Sequence, residues 1–457
     1  MKRTPSRDTQ SPLPRPSNVR RLLPMLAVML MALVWLALYG DVDLSALDDP
    51  PAAPEVPVTR LGRALEDTAH LSAVERGAYL ARAGNCAYCH TAPGGAAYAG
   101  GRAIVTPFGD VYAGNLTPDR KTGIGGWSAD DFWRAMRDGI SRDGRLLSPA
   151  FPYNAFTGLH REDADALYAY LMQLPAVEQA NRPHALRWPF GSQTALQLWR
   201  IAFFRPSPWA PEPQRSAEWN RGAYLVQTLG HCASCHSPRN RWGASLDARW
   251  LEGGLMPDGT WYAPSLRSID EAGVQEWSAE DVARLLRSGR ATKGSAQGPM
   301  AEVVLHSTQH LSDSDLLAMG TYLKSLSVLP RTEEAVAHQP QAPDARVMQT
   351  GAALYERHCA DCHGKAGEGV PGAFPALAGN RAVRMDDTHN LLQVLLYGGY
   401  GASTRAAPMP HGMPPFMLTL NDAEVAAVLT WIRNAWGHAA PAVTPLEVQR
   451  KRDAALR

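Results

Sequence analysis

Residues 86–90 read Cys86-Ala-Tyr-Cys-His90, two cysteines separated by two residues and followed directly by a histidine. The same arrangement returns at Cys232-Ala-Ser-Cys-His236 and at Cys359-Ala-Asp-Cys-His363. These three motifs contain all six cysteines of the chain, so none is left for a disulfide. One motif that recurs at intervals of small-domain size indicates a chain built from three similar units.

The motif predicts a covalent haem c site. Its two-residue gap places both thiols on one helical turn for thioether bonds to the haem vinyl groups, and the adjacent histidine supplies an imidazole nitrogen to the iron. A structural zinc site needs a second ligand pair, and a thioredoxin-like motif occurs once and lacks the histidine. We predict three covalently bound haem groups at three sets of residues: Cys86, Cys89 and His90; Cys232, Cys235 and His236; Cys359, Cys362 and His363.

A methionine before the closing helix of a unit predicts the sixth iron ligand, because electron-transfer cytochromes pair a methionine with the histidine. In the second unit this residue is Met300, in Gly298-Pro-Met300. The third unit offers Met409 and Met413, both in Pro408-Met-Pro-His-Gly-Met-Pro-Pro-Phe416. Met413 is preferred because it leaves a short loop before the last helix. Met409 is the alternative, because its spacing to Leu420 copies that from Met300 to Leu311.

The first unit departs from this pattern. Phe151 stands at the expected methionine position, in Ser148-Pro-Ala-Phe-Pro-Tyr153, and a phenylalanine cannot ligate iron. Either another residue reaches the iron or the first haem is five-coordinate. The nearest candidates by sequence, Met136, His160 and Met172, each have a simpler role in core packing or helix capping. None of them is assigned as a ligand.

Matching helices flank the three motifs. Arg76-Gly-Ala-Tyr-Leu80, Arg221-Gly-Ala-Tyr-Leu225 and Gly351-Ala-Ala-Leu354 precede them, each with a glycine that permits close approach by another element. Each unit closes with a helix that carries a leucine, an acid four residues on and an aromatic residue eleven residues on: Leu159, Asp163 and Tyr170; Leu311, Asp315 and Tyr322; Leu420, Glu424 and Trp431. Ser312 with Asp315, and Asn421 with Glu424, predict capping boxes. The repetition predicts an all-α fold of three tandem domains, over 71–180, 216–328 and 346–438.

The N-terminus predicts export and attachment to a membrane. Residues 1–21 form a basic segment, and residues 22–39 are an uncharged run at the border between a signal peptide and a membrane span. No small-residue cleavage site follows, so an uncleaved signal-anchor helix with a cytoplasmic basic flank is preferred over a cleaved signal. Either interpretation places the body at the periplasmic face of the cytoplasmic membrane or in the periplasm.

Composition and punctuation define the remaining segments. Residues 40–70 and 329–345 are rich in proline and predict linkers, and residues 439–457 predict a polar tail. Residues 181–215 form an aromatic connector, preferably an interdomain packing strap, with a partner subunit or the membrane surface as alternatives. With 45 Lys and Arg against 44 Asp and Glu, nothing favours binding to nucleic acid.

The chain resembles the three-haem cytochrome c subunits of membrane-bound periplasmic dehydrogenases, whose catalytic partners are flavin, quinoprotein or molybdenum enzymes. The resemblance covers roughly residues 71–438. It depends on these strings: Tyr112-Ala-Gly-Asn-Leu-Thr-Pro-Asp119 with Gly123-Ile-Gly-Gly-Trp127, Gly230-His-Cys-Ala-Ser-Cys-His-Ser-Pro-Arg239 with Trp261-Tyr-Ala-Pro264, and Met413-Pro-Pro-Phe416 with Trp436-Gly437. It implies cytochrome c folds, haem at the three Cys/Cys/His sets, and iron-bound Met300 and Met413. The Pro-Ala-Phe-Pro-Tyr loop around Phe151 is more similar to relatives that accompany molybdenum hydroxylases.

The function expected from these features is electron transfer. A catalytic dehydrogenase subunit oxidises the substrate, and three haems carry the electrons to quinone or a terminal oxidase of a respiratory chain. The sequence has neither a G-x-G-x-x-G nucleotide fingerprint after a strand nor a hydrolase nucleophile elbow, so the chain is not expected to be an enzyme. The alternatives are a membrane-tethered electron shuttle that docks on several partners and a haem enzyme that uses an open first haem.

Overall fold

The computed structural model describes residues 71–291, 294–330, 342–408 and 412–455. The predicted segments 1–21, 22–39 and 40–70 lie outside these ranges, as do most of the linker 329–345 and Met409. Within the residues that the structure describes, no helix combines the length and the apolar character that a membrane crossing requires.

Helices and short strands alternate along the chain. The first repeat and its connector contain α1 (Ala73–Ala83), α2 (Cys86–Cys89), β1 (Ala103–Thr106), β2 (Gly109–Tyr112), α3 (Ala129–Asp138), α4 (Tyr153–Phe156), α5 (Arg161–Leu171), β3 (Ala185–Leu186) and α6 (Gln193–Phe203). The second repeat contains α7 (Ala217–Tyr224) with a π-helical turn (Leu225–Leu229), α8 (Ala233–His236), a 3₁₀ turn (Asp247–Arg249), β4 (Gly254–Leu255), β5 (Tyr262–Ala263), α9 (Ala279–Ser288), β6 (Arg290–Ala291), β7 (Gly294–Ser295), α10 (Gly298–His306), a 3₁₀ turn (Thr308–His310) and α11 (Asp313–Lys324). The third contains α12 (Ala345–His358), α13 (Ala360–His363), α14 (Arg381–Arg384), α15 (His389–Tyr397), β8 (Gly399–Tyr400), β9 (Gly412–Met413), α16 (Asp422–Ile432) and α17 (Pro445–Ala455).

In each repeat the helix before the cysteine motif crosses the closing helix at a glycine. A Cβ atom on Gly77 of α1 would lie 1.9 Å from the carbonyl oxygen of Ala166 in α5. The same contact would occur at 1.9 Å between Gly222 and Ala318, and at 2.3 Å between Gly351 and Ala427. No larger residue fits at these crossings, which confirms the close approach predicted from the three glycines.

The strands add small antiparallel sheets to a mainly helical chain, which corrects the strictly all-α prediction. β1 and β2 form a hairpin with Ala103 opposite Tyr112, and β3 of the connector adds to it with Leu186 opposite Gly109. Gly109 has a φ of 120°, and a Cβ atom there would lie 2.2 Å from the Ala185 carbonyl oxygen. The other sheets, β4–β5, β6–β7 and β8–β9, have two strands each.

The apolar cores divide the described residues differently from the three motifs. One continuous core joins the first two repeats, with Leu80 and Leu167 in the same cluster as Leu225 and Leu316. The third repeat has a core of its own, which includes Leu396 and Val428. The second repeat contacts the third through polar groups such as Asn390, whose side chain exchanges two hydrogen bonds with the backbone of Tyr262 at 2.7 and 2.9 Å.

The segment predicted as a polar tail over 439–457 needs correction. It contains α17, which packs against α16 and α15, and Val443 and Val448 are buried in the core of the third repeat. Lys451 of α17 donates to the Thr260 carbonyl of the second repeat, and Arg452 pairs with Asp422 at 2.7 Å. The many charges of this helix occupy its outer face, so the composition of the segment conceals its apolar contact.

The connector 181–215 is partly the packing strap that the sequence favoured. Leu196 and Phe204 are buried, and Phe190 contacts Phe108 of the first repeat with ring centroids 4.5 Å apart. On α6, Trp199 donates from Nε1 to the carbonyl of Trp242 in the second repeat at 3.0 Å. The connector therefore bridges the first two repeats, and only part of its apolar surface is used in doing so.

Candidate haem sites

Each cysteine pair lies on a single backbone turn. The N–H of His90 donates to the carbonyl of Cys86 at 3.0 Å, and the N–H groups of His236 and His363 donate to Cys232 and Cys359 at 2.9 Å each. This turn brings two sulfur atoms and one imidazole together without help from distant parts of the chain. The geometry is therefore the one that attachment of a haem through two thioethers and a histidine requires.

The three histidines are oriented in the same way. Nδ1–H of His90 donates to the Gly114 carbonyl at 2.7 Å, that of His236 to Pro264 at 2.7 Å, and that of His363 to Pro375 at 2.9 Å. A ring whose Nδ1 carries the proton has Nε2 as its metal-binding nitrogen, and a backbone acceptor holds the ring in place. The sequence alone could not find these three carbonyls, because no residue type marks them.

Burial keeps these imidazoles neutral. It lowers the pKa of His90, His236 and His363 below the ordinary value, against a smaller upward effect of each hydrogen bond to a carbonyl. Neutral imidazole is the form that ligates a metal. The environment therefore favours the protonation state that iron needs.

The cysteines are free thiols, and most of them are at least half-buried. Burial raises the pKa of Cys86 and of Cys232 to about 12 each, and the pKa of Cys359 to about 11. The pKa of Cys89 is also raised, first by burial and further by the nearby Cys235 thiol of the second repeat. This interaction indicates that the first and second motifs lie close to each other.

Backbone contacts support the proximity of these two motifs. His231, directly before Cys232, has Nε2 3.4 Å from the carbonyl oxygen of Gly84, two residues before Cys86. The hydroxyl of Ser307 donates to the Ala83 carbonyl at 3.1 Å. Tyr88, inside the first motif, contacts His306 at the end of α10 with ring centroids 5.5 Å apart. The first site therefore borders the helix that begins with Met300.

Met300 and Met413 occupy comparable surroundings. Met300 lies in the first turn of α10 after Pro299 and is half-buried against the core. Met413 is the last residue of β9, is half-buried against the core of the third repeat, and is paired with Gly399. Met409 lies outside the described residues, so the structure does not compare it with Met413.

The backbone register places Phe151 where the second repeat has Met300. After α3 the N–H of Leu147 donates to the Gly139 carbonyl at 2.8 Å, and after α9 the N–H of Ala296 donates to the Gly289 carbonyl at 2.8 Å. Phe151 follows Leu147 by four residues, as Met300 follows Ala296. The ring of Phe151 packs against the core and contacts Phe156 with centroids 5.4 Å apart.

The other residues considered for the first site have roles in packing. Met136 is buried in the core on α3, and Met172 packs against the same core at the end of α5. The ring of His160 stacks on Tyr224 of the second repeat at 4.6 Å and contacts Trp209 at 5.6 Å. Each therefore has an explanation that does not involve iron.

A reciprocal pair of hydrogen-bonded triads joins the first two repeats. Asp163 accepts from Arg76 of its own repeat at 2.6 and 2.9 Å and from the Tyr224 hydroxyl of the second repeat at 2.5 Å. Asp315 accepts from two nitrogens of Arg221 at 2.8 Å each.

The Tyr79 hydroxyl of the first repeat donates to Asp315 at 2.6 Å. The two triads are therefore related by an approximate twofold exchange of tyrosines, like an isologous contact between two copies.

Sequence reasoning recorded the residues of these triads without predicting their contacts. The repeated Arg-Gly-Ala-Tyr-Leu strings and the acids of the closing helices were the available signal. The predicted capping box of Ser312 with Asp315 is formed only in part, since Ser312 accepts from the Asp315 N–H while the Asp315 carboxylate binds Arg221 and Tyr79. The capping box of Asn421 with Glu424 is confirmed in both directions.

Comparison with known proteins agrees with this geometry. The Cytochrome c family matches residues 74–175 and 348–436. These ranges include the first and third motifs and their histidines.

Several relatives match almost the full length of the chain. It is 39% identical over 409 residues to the cytochrome c subunit of the quinone alcohol dehydrogenase of Komagataeibacter europaeus, which covers 86% of this chain and 87% of that subunit. It is 39% identical to the gluconate 2-dehydrogenase cytochrome c subunit of Pantoea cypripedii, over 82% of this chain and 88% of that one. A nicotinate dehydrogenase subunit of Pseudomonas putida is 42% identical over 81% of this chain, which spans 31% of that longer protein. The chain therefore belongs to the cytochrome c subunits of dehydrogenases, which transfer electrons and are not the catalytic subunits.

Proposed function

We propose that the chain carries three covalent haem c groups in three cytochrome c domains, 71–180, 216–328 and 346–438. The thioether bonds form at Cys86 and Cys89, at Cys232 and Cys235, and at Cys359 and Cys362, with His90, His236 and His363 as iron ligands. The observation that carries this proposal is the hydrogen bond from Nδ1–H of each histidine to a backbone carbonyl. It gives all three motifs the same ligand orientation.

The proposed sixth ligands are Met300 and Met413, and the first haem has no methionine ligand. The half-buried positions of Met300 and Met413 before the closing helices support their assignment. The register of Phe151 with Met300 supports the difference at the first haem. A histidine–methionine pair raises the reduction potential, so the first haem is expected to have a lower potential than the second.

Electrons enter from a catalytic dehydrogenase subunit and leave to quinone or a terminal oxidase. Relatives named as subunits of alcohol, gluconate and fructose dehydrogenases support a catalytic partner for this chain. The proposed location is the periplasmic face of the cytoplasmic membrane, with residues 22–39 as the anchor, and the uncharged run in the sequence supports it.

The haem supplies one-electron redox chemistry, and the protein supplies position, ligation and burial. Gly114, Pro264 and Pro375 hold the imidazole rings through their carbonyls, which also makes the ligating nitrogens more electron-rich. The triads of Asp163 and Asp315 hold the first two domains together. The distance between the first two sites is therefore determined by buried contacts.

Mild-detergent purification from native membranes, with mass spectrometry and a haem count on the same sample, tests the proposal. We expect three haems per chain and a large dehydrogenase subunit at fixed stoichiometry. Deletion of that partner's gene should leave the haem content intact and abolish substrate-driven haem reduction. A lone three-haem chain would instead favour the shuttle, and fewer than three haems would contradict the site assignment.

Replacement of one cysteine pair at a time assigns the haems. The double variant Cys86→Ala/Cys89→Ala should retain two haems, as should the corresponding variants at the second and third motifs. The mass of the intact chain and the haem absorbance measure the loss. A variant that keeps all three haems would remove that pair from the proposed sites.

A further inference from the structure

The outer face of the connector exposes large apolar side chains. Trp188 is 89% exposed, and Leu198 and Ile201 of α6 are 64% and 63% exposed. Leu198 and Ile201 are three residues apart, so they lie next to each other on one face of the helix. We call Trp188, Leu198 and Ile201 the connector patch. Exposed apolar clusters of this kind mark interaction sites more often than isolated apolar residues do.

The opposite face of the connector fixes the orientation of the patch. Leu196 is buried on α6, Phe204 is buried at its end, and the Trp199 indole donates to the Trp242 carbonyl. Since these contacts hold α6 against the first two repeats, Leu198 and Ile201 cannot turn inward. The exposure of the patch is therefore a property of the folded unit.

The charges around the patch are of one sign. Residues 179–211 contain no aspartate or glutamate and four arginines. Arg187 precedes Trp188 directly, Arg205 follows α6, and both are exposed. Tryptophan and aliphatic residues flanked by arginines are typical of helices that lie in the interface of an anionic membrane.

We propose that the connector patch docks on the lipid surface of the membrane, with Trp188, Leu198 and Ile201 in the headgroup region and Arg187 and Arg205 at anionic headgroups. This inference depends on the proposed anchorage by residues 22–39. A flexible segment as long as residues 40–70 has a root-mean-square reach of about 30 Å. The anchor would therefore keep the folded unit close enough to the bilayer for a second, weaker contact to form.

The test is hydrophobic photolabelling of the full haem-loaded chain in phosphatidylglycerol-containing vesicles. A lipid-soluble carbene probe is photolysed in the bilayer, and labelled peptides are identified by mass spectrometry. We expect label in the peptides of Trp188 and of Leu198 with Ile201, in addition to residues 22–39. Leu418 of the third repeat is the internal control, because it is 93% exposed, lies far along the chain from the patch and should remain unlabelled.

Two matched variants separate docking from chance exposure. In Leu198→Gln/Ile201→Gln the label at Trp188 should fall roughly tenfold, because two apolar side chains no longer enter the lipid. Leu418→Gln should leave the label at Trp188 unchanged. Arg187→Gln/Arg205→Gln should weaken labelling in phosphatidylglycerol vesicles and have little effect in vesicles of phosphatidylcholine alone.

Three outcomes would overturn the proposal. Equal labelling of Leu418 and the patch would show only contact of the probe with exposed residues. Protection of the patch by the purified dehydrogenase subunit in the absence of lipid would assign it to that protein. Label in residues 22–39 without label in the patch would leave the anchor intact and remove the docking surface, whereas absence of label in 22–39 would remove the anchorage itself.

Discussion

The first two repeats and the third share a fold but differ in how they are joined. The first two share one continuous core and exchange tyrosines across their contact, whereas the third has its own core and meets the second through polar groups. Three positions explain the difference. Where the first two repeats have an arginine and a tyrosine before the motif, the third has Thr350 and Ala353.

The acid of the closing helix, the third of these positions, changes its role with these substitutions. In the third repeat Glu424 accepts from the N–H of Asn421 at 2.9 Å and completes a capping box. In the second repeat the corresponding N–H, that of Ser312, donates to the Tyr79 hydroxyl of the neighbouring repeat at 3.1 Å. An acid at one position of a repeated fold therefore serves either the local helix or the contact between two domains.

The largest effect is expected at the buried ion pair of Arg221 and Asp315. Their side chains are 4% and 0% exposed, so Asp315→Asn leaves a buried guanidinium without a countercharge. We expect a loss of about 3–5 kcal/mol of unfolding free energy. Glu424→Gln is the control in the third repeat and should cost about 1 kcal/mol, since only a cap is weakened. Urea denaturation followed by calorimetry measures both, and equal losses would contradict the comparison.

A smaller effect is expected from the tyrosine hydroxyls. Tyr79→Phe and Tyr224→Phe should each destabilise the first two repeats by about 1–2 kcal/mol, because a buried carboxylate loses one donor. The calorimetric transition of the third repeat should not move. Tyr355→Phe is the control, because its hydroxyl donates to Gly364 at 2.7 Å within the third repeat. If Tyr79→Phe shifts both transitions equally, the two cores do not unfold separately.

Phe151→Met makes the first repeat resemble the second. We expect a change in unfolding free energy of less than about 1.5 kcal/mol, with added sulfur-to-iron absorption and a raised potential at one haem. Optical redox titration measures both spectral properties, and binding of carbon monoxide to the ferrous protein should decrease. Met300→Phe is the reverse control and should remove the same absorption from the second haem. An unchanged spectrum in Phe151→Met would show that another residue already occupies the sixth position.

The smallest effect distinguishes Met409 from Met413. Met413→Leu should remove the sulfur-to-iron absorption of the third haem, while Met409→Leu should leave the spectrum and stability unchanged within about 0.5 kcal/mol. Both replacements keep the apolar volume, so packing is a common background. A spectral loss in Met409→Leu alone would reverse the assignment and make the third repeat copy the spacing of the second.

The sequence by itself determined the features that depend on neighbouring residues. The Cys-x-x-Cys-His motifs, the glycine crossings and the closing helices follow from one helical turn, one missing Cβ and one apolar stripe, so local periodicity was sufficient to predict them. It also identified Phe151 as a departure, since the register is set by a short hairpin after each helix. The short strands and the helix α17 escaped prediction, because a strand of two residues and a strongly charged helix have no distinct pattern.

Only the tertiary structure decided how these parts combine. Tyr79 and Asp315 are 236 residues apart in the chain, and their contact exists because two similar domains present matching faces to each other. The carbonyls that orient His90, His236 and His363 have no signature, since every residue has one. The two faces of the connector are equally apolar in the sequence. Packing of Leu196 and Phe204 against the first two repeats is what leaves Leu198 and Ile201 facing outward.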